Sequence, residues 1–227
     1  MAVSLTQTIH LPNPGLPSKI STSSIQLVYF NIRARAEPAR LLLAYAGVEY
    51  QDIRVEQPWL NMDNMEHWDN IKTEFAFEQL PVLYWNGEQI AQSLAVTRFI
   101  ARQVGLAGKD NLEEAQVNEV IYAIEDVLQA RIDVLHETDE KRKAVMSETY
   151  RTKTVPNILL QLENCLVSRG GHFFVGNALS WADIQAFHFC SELDNHEQLD
   201  TSPHLASLVM RVGLIPNIQN WVQSRPV

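Results

Sequence analysis

Along this chain the hydrophobic positions alternate between strand-like and helical patterns up to about residue 110 and are almost wholly helical beyond it. The first apolar run, Ile25 to Phe30 (IQLVYF), is short, β-branched and aromatic, as a buried strand requires. In RARAEPARLLLAYAG, Ala36, Ala39, Leu43 and Ala46 fall at helical spacing and Gly47 supplies a C-cap. Pro38 fits only near the start of that helix, where its missing N–H costs nothing. Residues 48–55 (VEYQDIRV) predict a second strand, followed by a polar and aromatic stretch holding Trp59, Trp68 and Lys72. LPVLYWNGEQIAQS then reads as strand, Asn86-Gly87 turn and return strand, a strong local hairpin signal. Ser93 to Val104 predicts a helix stopped by Gly105. The order βαβ then ββα describes a small mixed sheet with helices packed on it.

From Leu112 onward the periodicity is helical. Val117, Val120, Ile121, Ile124, Val127, Leu128 and Val134 share or adjoin one apolar face, and further helical stretches lie around Lys141–Arg169, Trp181–Cys190 and Pro203–Val212. The predicted organisation is an extension over 1–24, an α/β domain over 25–105, a linker over 106–111 and an all-helical domain over 112–227. No short repeat suggests a solenoid.

Composition narrows the partners. With 227 residues, 46% hydrophobic, the chain can bury one large or two small cores. Its 18 Lys and Arg against 27 Asp and Glu leave a net charge of -9, which repels nucleic acid and acidic membrane surfaces while leaving room for a small anion in a local basic patch. Cys165 and Cys190 have neither zinc-site spacing nor the density of a disulfide scaffold, which predicts a reducing, cytoplasmic setting; both fall in apolar helical stretches, which predicts buried, inert thiols. No apolar stretch is long enough to span a membrane. Residues 1–24, rich in Pro, Ser and Thr, lack the basic start and apolar block of a signal peptide and read as a loosely ordered extension.

Three places could carry chemistry, and a fourth motif is structural. Tyr29 sits near the end of the first strand, just before a turn and a helix, where ligands meet strand ends; position alone favours a core tyrosine with a satisfied hydroxyl. Pro81 enters the third strand either as a trans edge residue or as a cis proline that exposes the backbone of Leu80. Ser93 is the expected N-cap of its helix, and the same terminus, with Gln92, would attract a carboxylate. Ser180 and Asp183 in NALSWADIQAF form a capping-box variant whose reading is structural. The histidines show no HExxH or paired spacing, so no metal is assigned, and no GxGxxG or GxxxxGK marks a nucleotide site.

Together, YFNIRARAEPARLLLAY, EQLPVLYWNG, QSLAVTRFIAR and FFVGNALSWADI resemble the glutathione transferases, specifically the sigma class that includes the glutathione-dependent prostaglandin D synthases. The resemblance covers Ile25 to Val227. It implies a thioredoxin-like α/β N-terminal domain followed by an all-α domain, reduced glutathione as co-substrate and no metal for conjugation. Tyr29 matches the tyrosine that hydrogen-bonds the glutathione sulfur, and Arg35 the arginine beside it. Trp68 and Lys72 match contacts to the glycine end, with Trp68 chosen over Trp59 by its spacing to Lys72. Gln79 stands where relatives carry Lys or Gln, Leu80 pairs through its backbone with the cysteinyl moiety ahead of a cis Pro81, and Gln92 and Ser93 hold the γ-glutamyl carboxylate. Asp126 resembles the acid that completes the neighbouring subunit's site, which implies a homodimer.

The implied reaction is conjugation of hydrophobic electrophiles, with hydroperoxide reduction alongside it. A glutathione-dependent prostaglandin D isomerase is the alternative, and a structural or ligand-binding relative a second one. Phe30 is expected either in the core or lining the apolar cleft for the second substrate. Three departures stand out. Ala34 replaces the family's Gly in RGRAE, for which a negative φ is expected. PWLNMDNME is inserted before Trp68. Tyr122, with Glu125 and Asp126, replaces one acid of the cluster that holds a divalent ion in the synthases, and their tryptophan near Asp133 is missing.

Overall fold

A computed structural model describes residues 25–193 and 196–226; the extension expected over 1–24 lies outside the described residues. Two compact units divide at Val104/Gly105, and the chain from Pro216 onward returns to the first unit. The sequence-based division runs the helical half through to Val227; the last helix, α9 (Pro216–Ser224), packs instead on α1 (Glu37–Ala46). Its Ile218 and Trp221 are buried, and Asn217 donates to the Tyr45 carbonyl at 3.1 Å.

The first unit is built on a four-stranded sheet of order β2-β1-β3-β4. β1 (Gln26–Phe30) runs parallel to β2 (Gln51–Val55) and antiparallel to β3 (Val82–Trp85), which pairs antiparallel with β4 (Glu88–Ala91). The β3–β4 hairpin turns on Asn86 and Gly87, both at positive φ (53° and 87°), as a tight two-residue turn demands. β2 starts three residues later than the sequence pattern suggests. Gly47, left-handed at φ 64°, ends α1, and the N–H of Val48 closes back onto Leu43 at 3.0 Å, so this segment finishes a helix before it can begin a strand.

The polar and aromatic stretch contains a helix that periodicity did not reveal, α2 (Met62–Ile71), capped by Asn61, whose side chain accepts from the Asn64 N–H at 2.9 Å. It covers one sheet face, over Val28, Ile53, Val55 and Val82. α1 and α3 (Ser93–Gln103) pack together, and Leu41, Leu42, Leu43, Val96 and Ile100 are fully buried.

The second unit is helical: α4 (Asn111–His136), α5 (Glu140–Thr149), α6 (Val155–Ser168), α7 (Trp181–Ser191) and α8 (Pro203–Gly213), with a π turn over Tyr150–Thr154. α4 buries Val117, Val120, Ile121, Ile124 and Val127, the face read from the sequence, while Leu128 and Val134 are half-buried. α7 is buried on every side from Trp181 to Cys190, as a central helix must be. The expected Ser180–Asp183 capping box starts it. Burial pushes the Cys190 thiol up to about 12, in keeping with an inert sulfur; Cys165 is only half-buried, a departure from the expectation for it.

Candidate functional site

Tyr29 lies one residue from the end of β1, is 5% exposed and stands opposite Arg54 of β2. Beyond Phe30 the chain reverses sharply: the Asn31 N–H reaches the Val55 carbonyl at 2.8 Å, and a 3-10 turn over Ala34–Ala36 leads into α1. This turn brings the Arg35 backbone N–H onto the Tyr29 hydroxyl. Ala34 takes φ +33°, contrary to the negative value expected from an alanine. The reversal places its backbone on the left-handed side that Gly adopts freely and Ala only at a steric cost.

Burial raises the Tyr29 phenol above its ordinary 10.0, opposed by the Arg35 N–H and by the positive charges of Arg35 and Arg40. The phenol is therefore neutral at physiological pH. With one lone pair taken by an N–H, its own proton is left to donate. The Arg40 guanidinium carbon sits 5.9 Å from the ring centroid, within cation–π range. Arg40 is fully buried and held by Asp52 at 3.1 Å and the Ile32 carbonyl at 2.9 Å. Sequence reasoning missed Arg40, Glu37 and Asp52. The available signal was a charge inside an apolar helical run, PARLLLAY, three residues after an acid.

Trp68 of α2 is half-buried. Its ring meets Phe30 edge-on at 5.2 Å and stacks on Phe75 at 6.0 Å. Trp59 also meets Phe30 edge-on at 5.2 Å but is 58% exposed. Phe30 thus packs beside the α2-side core between two tryptophans. Lys72 follows Trp68 by one helical turn, and its Nζ pairs with Asp69 Oδ1 at 2.7 Å, which raises the ammonium above its ordinary 10.5.

Gln79 is exposed and extended, Leu80 is half-buried, and the Leu80-Pro81 bond is cis, the isomer implied by the resemblance. Gln92 Nε2 donates to Gln79 Oε1 at 3.2 Å, joining these two segments. Ser93 is not the N-cap expected of it. It is the first helical residue of α3, Gln92 is the cap, and no side chain caps the terminus. Gln92 itself sits at φ 72°, ψ 117°, a conformation that costs a non-glycine residue about 1–3 kcal/mol and clusters at ligand sites. A strained corner followed by uncapped first-turn N–H groups suits a carboxylate. Asp126 is exposed on α4 of the second unit, with Glu125 half-buried and Tyr122 48% exposed. Among the described residues no three His, Cys, Asp or Glu side chains cluster so as to hold a metal ion, and no helix is long and apolar enough to cross a membrane.

A mixed β/α unit followed in sequence by a helical one, with a buried tyrosine at the end of β1 and a Gln-Ser pair at the start of α3, is the arrangement of a glutathione transferase. Family comparison agrees: residues 25–102 match the glutathione S-transferase N-terminal domain and residues 125–225 its C-terminal domain. The chain belongs to the glutathione transferase family and is related to its sigma-class, hematopoietic prostaglandin D synthase-type members. It is 35% identical over 207 residues to the hematopoietic prostaglandin D synthase of Gallus gallus, covering 88% of this chain and 96% of that one. It is 31% identical to glutathione S-transferase S1 of Drosophila melanogaster, covering 90% of this chain and 80% of the relative. A solved rat hPGDS in complex with a quinoline is similar at a TM-score of 0.79 and 31% identity, covering 90% and 98% of the two chains. Family membership makes this chain a glutathione transferase enzyme with the capacity to bind glutathione.

Proposed function

We propose that this enzyme uses Tyr29 to activate the sulfur of reduced glutathione, and that its reaction is a glutathione-dependent isomerisation of a prostaglandin-type endoperoxide. The observation that carries the activating role is the Tyr29 hydroxyl, buried, neutral and already accepting the Arg35 N–H, so that its proton is the free donor. A free thiol with a pKa near 8.5 is only a few per cent ionised at neutral pH. A hydrogen bond from the phenol to the thiolate stabilises it by roughly 1.5–3 kcal/mol, equivalent to about one to two pKa units. Trp68, Lys72, Gln79, the Leu80 backbone ahead of Pro81, and Gln92 with Ser93 hold the tripeptide. Asp126 completes the site of a second copy in a homodimer.

Similarity to the Gallus gallus and rat prostaglandin D synthases supports the isomerase reading. Conjugation of glutathione to hydrophobic electrophiles is the second reading. It is favoured by the likeness to the Drosophila melanogaster transferase and by Tyr122 standing in place of one acid of the synthases' ion-binding cluster.

An isomerase returns glutathione unchanged, whereas a transferase consumes one per turnover. The test therefore follows glutathione and product together, with a prostaglandin endoperoxide and, separately, with 1-chloro-2,4-dinitrobenzene. Turnover of the endoperoxide at constant glutathione is expected, with at least about a tenfold loss in Tyr29→Phe. Rapid consumption with the aromatic chloride and none of the isomerisation would replace the first reading by the second. Equal rates for Tyr29→Phe and the unsubstituted protein would remove Tyr29 from the mechanism.

A further inference from the structure

Behind the Tyr29 ring the first unit buries a cluster of ionised side chains: Glu37, Arg40, Asp52 and Arg54 are each 2% exposed or less. Asp52 accepts from Arg40 Nε at 3.1 Å through one oxygen and from Arg54 Nε at 2.9 Å through the other. Glu37 divides its oxygens in the same way. Oε2 faces Arg40 Nη1 at 3.3 Å, while Oε1 accepts from the Trp221 indole N–H at 2.8 Å and from Arg225 Nη1 at 2.7 Å. Trp221 lies on α9 and Arg225 directly follows it, more than 180 residues along the chain from Glu37.

Packing supplies no reason for this arrangement, because apolar side chains of similar volume commonly fold as well or better than a buried ion cluster. Its position does supply one. Two carboxylates against the three guanidiniums of Arg40, Arg54 and Arg225 leave an excess of positive charge, and Arg40 faces the Tyr29 ring.

We propose that Arg40 is the positioning residue of Tyr29 and that the C-terminal helix acts on thiol activation through it. Trp221 and Arg225 fix Glu37, Glu37 and Asp52 fix Arg40, and the guanidinium fixes the phenol ring and strengthens its hydroxyl as a donor. This rests on the reading that Tyr29 donates to the glutathione sulfur. The electrostatics agree in sign: the charges of Arg35 and Arg40 draw the phenol down against the rise caused by burial. Arg54 faces Tyr29 from β2, and Asp52, Glu37 and Tyr50 surround Arg40, so all of these groups set the net field.

The test measures the apparent pKa of the glutathione thiol bound to the full protein, from the ultraviolet absorbance of the thiolate against pH. Glutathione affinity and thermal stability are measured on the same samples. Trp221→Phe keeps an aromatic ring in place but loses the pyrrole half of the indole with its N–H; Arg225→Gln loses one charge near the surface. Each is expected to raise the bound thiol's pKa by about 0.3–0.5 unit, roughly a two- to threefold loss of thiolate at neutral pH. Arg40→Lys, which keeps the charge but not the fork that Glu37 and Asp52 grip, is expected to raise it by about one unit. Trp221→Phe introduced into Tyr29→Phe should add nothing, since the effect passes through the phenol.

Lower thermal stability with an unchanged thiol pKa in all three single variants would reduce the cluster to a structural device and overturn the inference. A shift in Tyr29→Phe alone would do the same while leaving Tyr29 in its role. No shift in Tyr29→Phe would overturn both.

Discussion

Buried carboxylates occur in both units and are neutralised by different means. In the first unit Glu37 and Asp52 face guanidinium groups. In the second, Asp183 accepts the Phe174 N–H at 2.9 Å and the Ser180 N–H and hydroxyl at 2.7 Å each. Glu163 of α6 likewise accepts the Leu205 N–H at 2.9 Å, the His204 N–H at 3.2 Å and a His204 ring contact at 2.7 Å. It thereby caps the start of α8 from another helix, where Ser202 makes no side-chain cap of its own. Backbone donors tie a carboxylate to the scaffold and leave its charge spent on a helix end. Arginine partners, by contrast, carry full charges of their own and can project a field beyond the pair. The unit that holds Tyr29 uses arginines, and the helical unit uses caps.

The largest effect should come from separating a charge from its partners. Arg40→Met strips the guanidinium from Asp52 and Glu37 without removing their burial. Losing one member of a buried ion group costs about 3–5 kcal/mol. Urea unfolding should show a loss of that size; a loss under 1 kcal/mol would mean that the remaining arginines or water neutralise both acids, and the contrast between the units would shrink.

A cap should cost less and depend on pH. Glu163→Gln keeps the shape and weakens the hold on α8, for an expected loss of about 1–2 kcal/mol at neutral pH. Burial pushes the Glu163 carboxyl up, but the Leu205 and His204 donors outweigh it and hold it below the ordinary 4.5. Because the folded value lies below the unfolded one, this stabilisation is complete above 4.5 and is lost as pH falls through and below that value. The unsubstituted protein and Glu163→Gln should therefore converge in stability on acidification. A difference that persists at low pH would show that shape, rather than charge, makes the cap.

Most of the fold was legible because its signals are local. Asn86-Gly87 specifies its turn by two residues, Gly47 ends its helix, and Ser180 with Asp183 starts α7; the structure has all three. α2 was not legible. Its apolar residues Met62, Met65, Trp68 and Ile71 are few and spaced three apart among polar ones, only Ile71 of them is buried, and its start rests on the single cap Asn61. α9 was hidden for a different reason, since periodicity does not say which core a helix joins. The fixed partner is Glu37, far away in sequence. Arg40 stayed out of the candidate site although Glu37 and Asp52 lie near it in sequence, because only folding sets its guanidinium against Asp52 and over the Tyr29 ring. The resemblance named residues expected to touch glutathione and Arg35 beside Tyr29, but not Arg40, whose guanidinium faces the Tyr29 ring.

The smallest expected effect lies in the first unit, in the turn between β1 and α1 where the Arg35 N–H meets the phenol. Ala34 holds φ +33° there, on the left-handed side of the backbone map. For an L-residue with a Cβ that region costs about 1–2 kcal/mol, and glycine escapes the clash at an entropic cost of about 0.5–1 kcal/mol. Ala34→Gly should therefore gain about 0.5 kcal/mol, or roughly 1–2 °C in thermal midpoint for a chain of this size. Catalytic rate should not change, because the Arg35 N–H reaches Tyr29 through the backbone and needs no side chain at 34. A gain in stability with a fall in kcat would mean that the strained alanine holds the N–H on the phenol more firmly than glycine does. That would extend the preorganisation of the buried charge cluster into the turn in front of Tyr29.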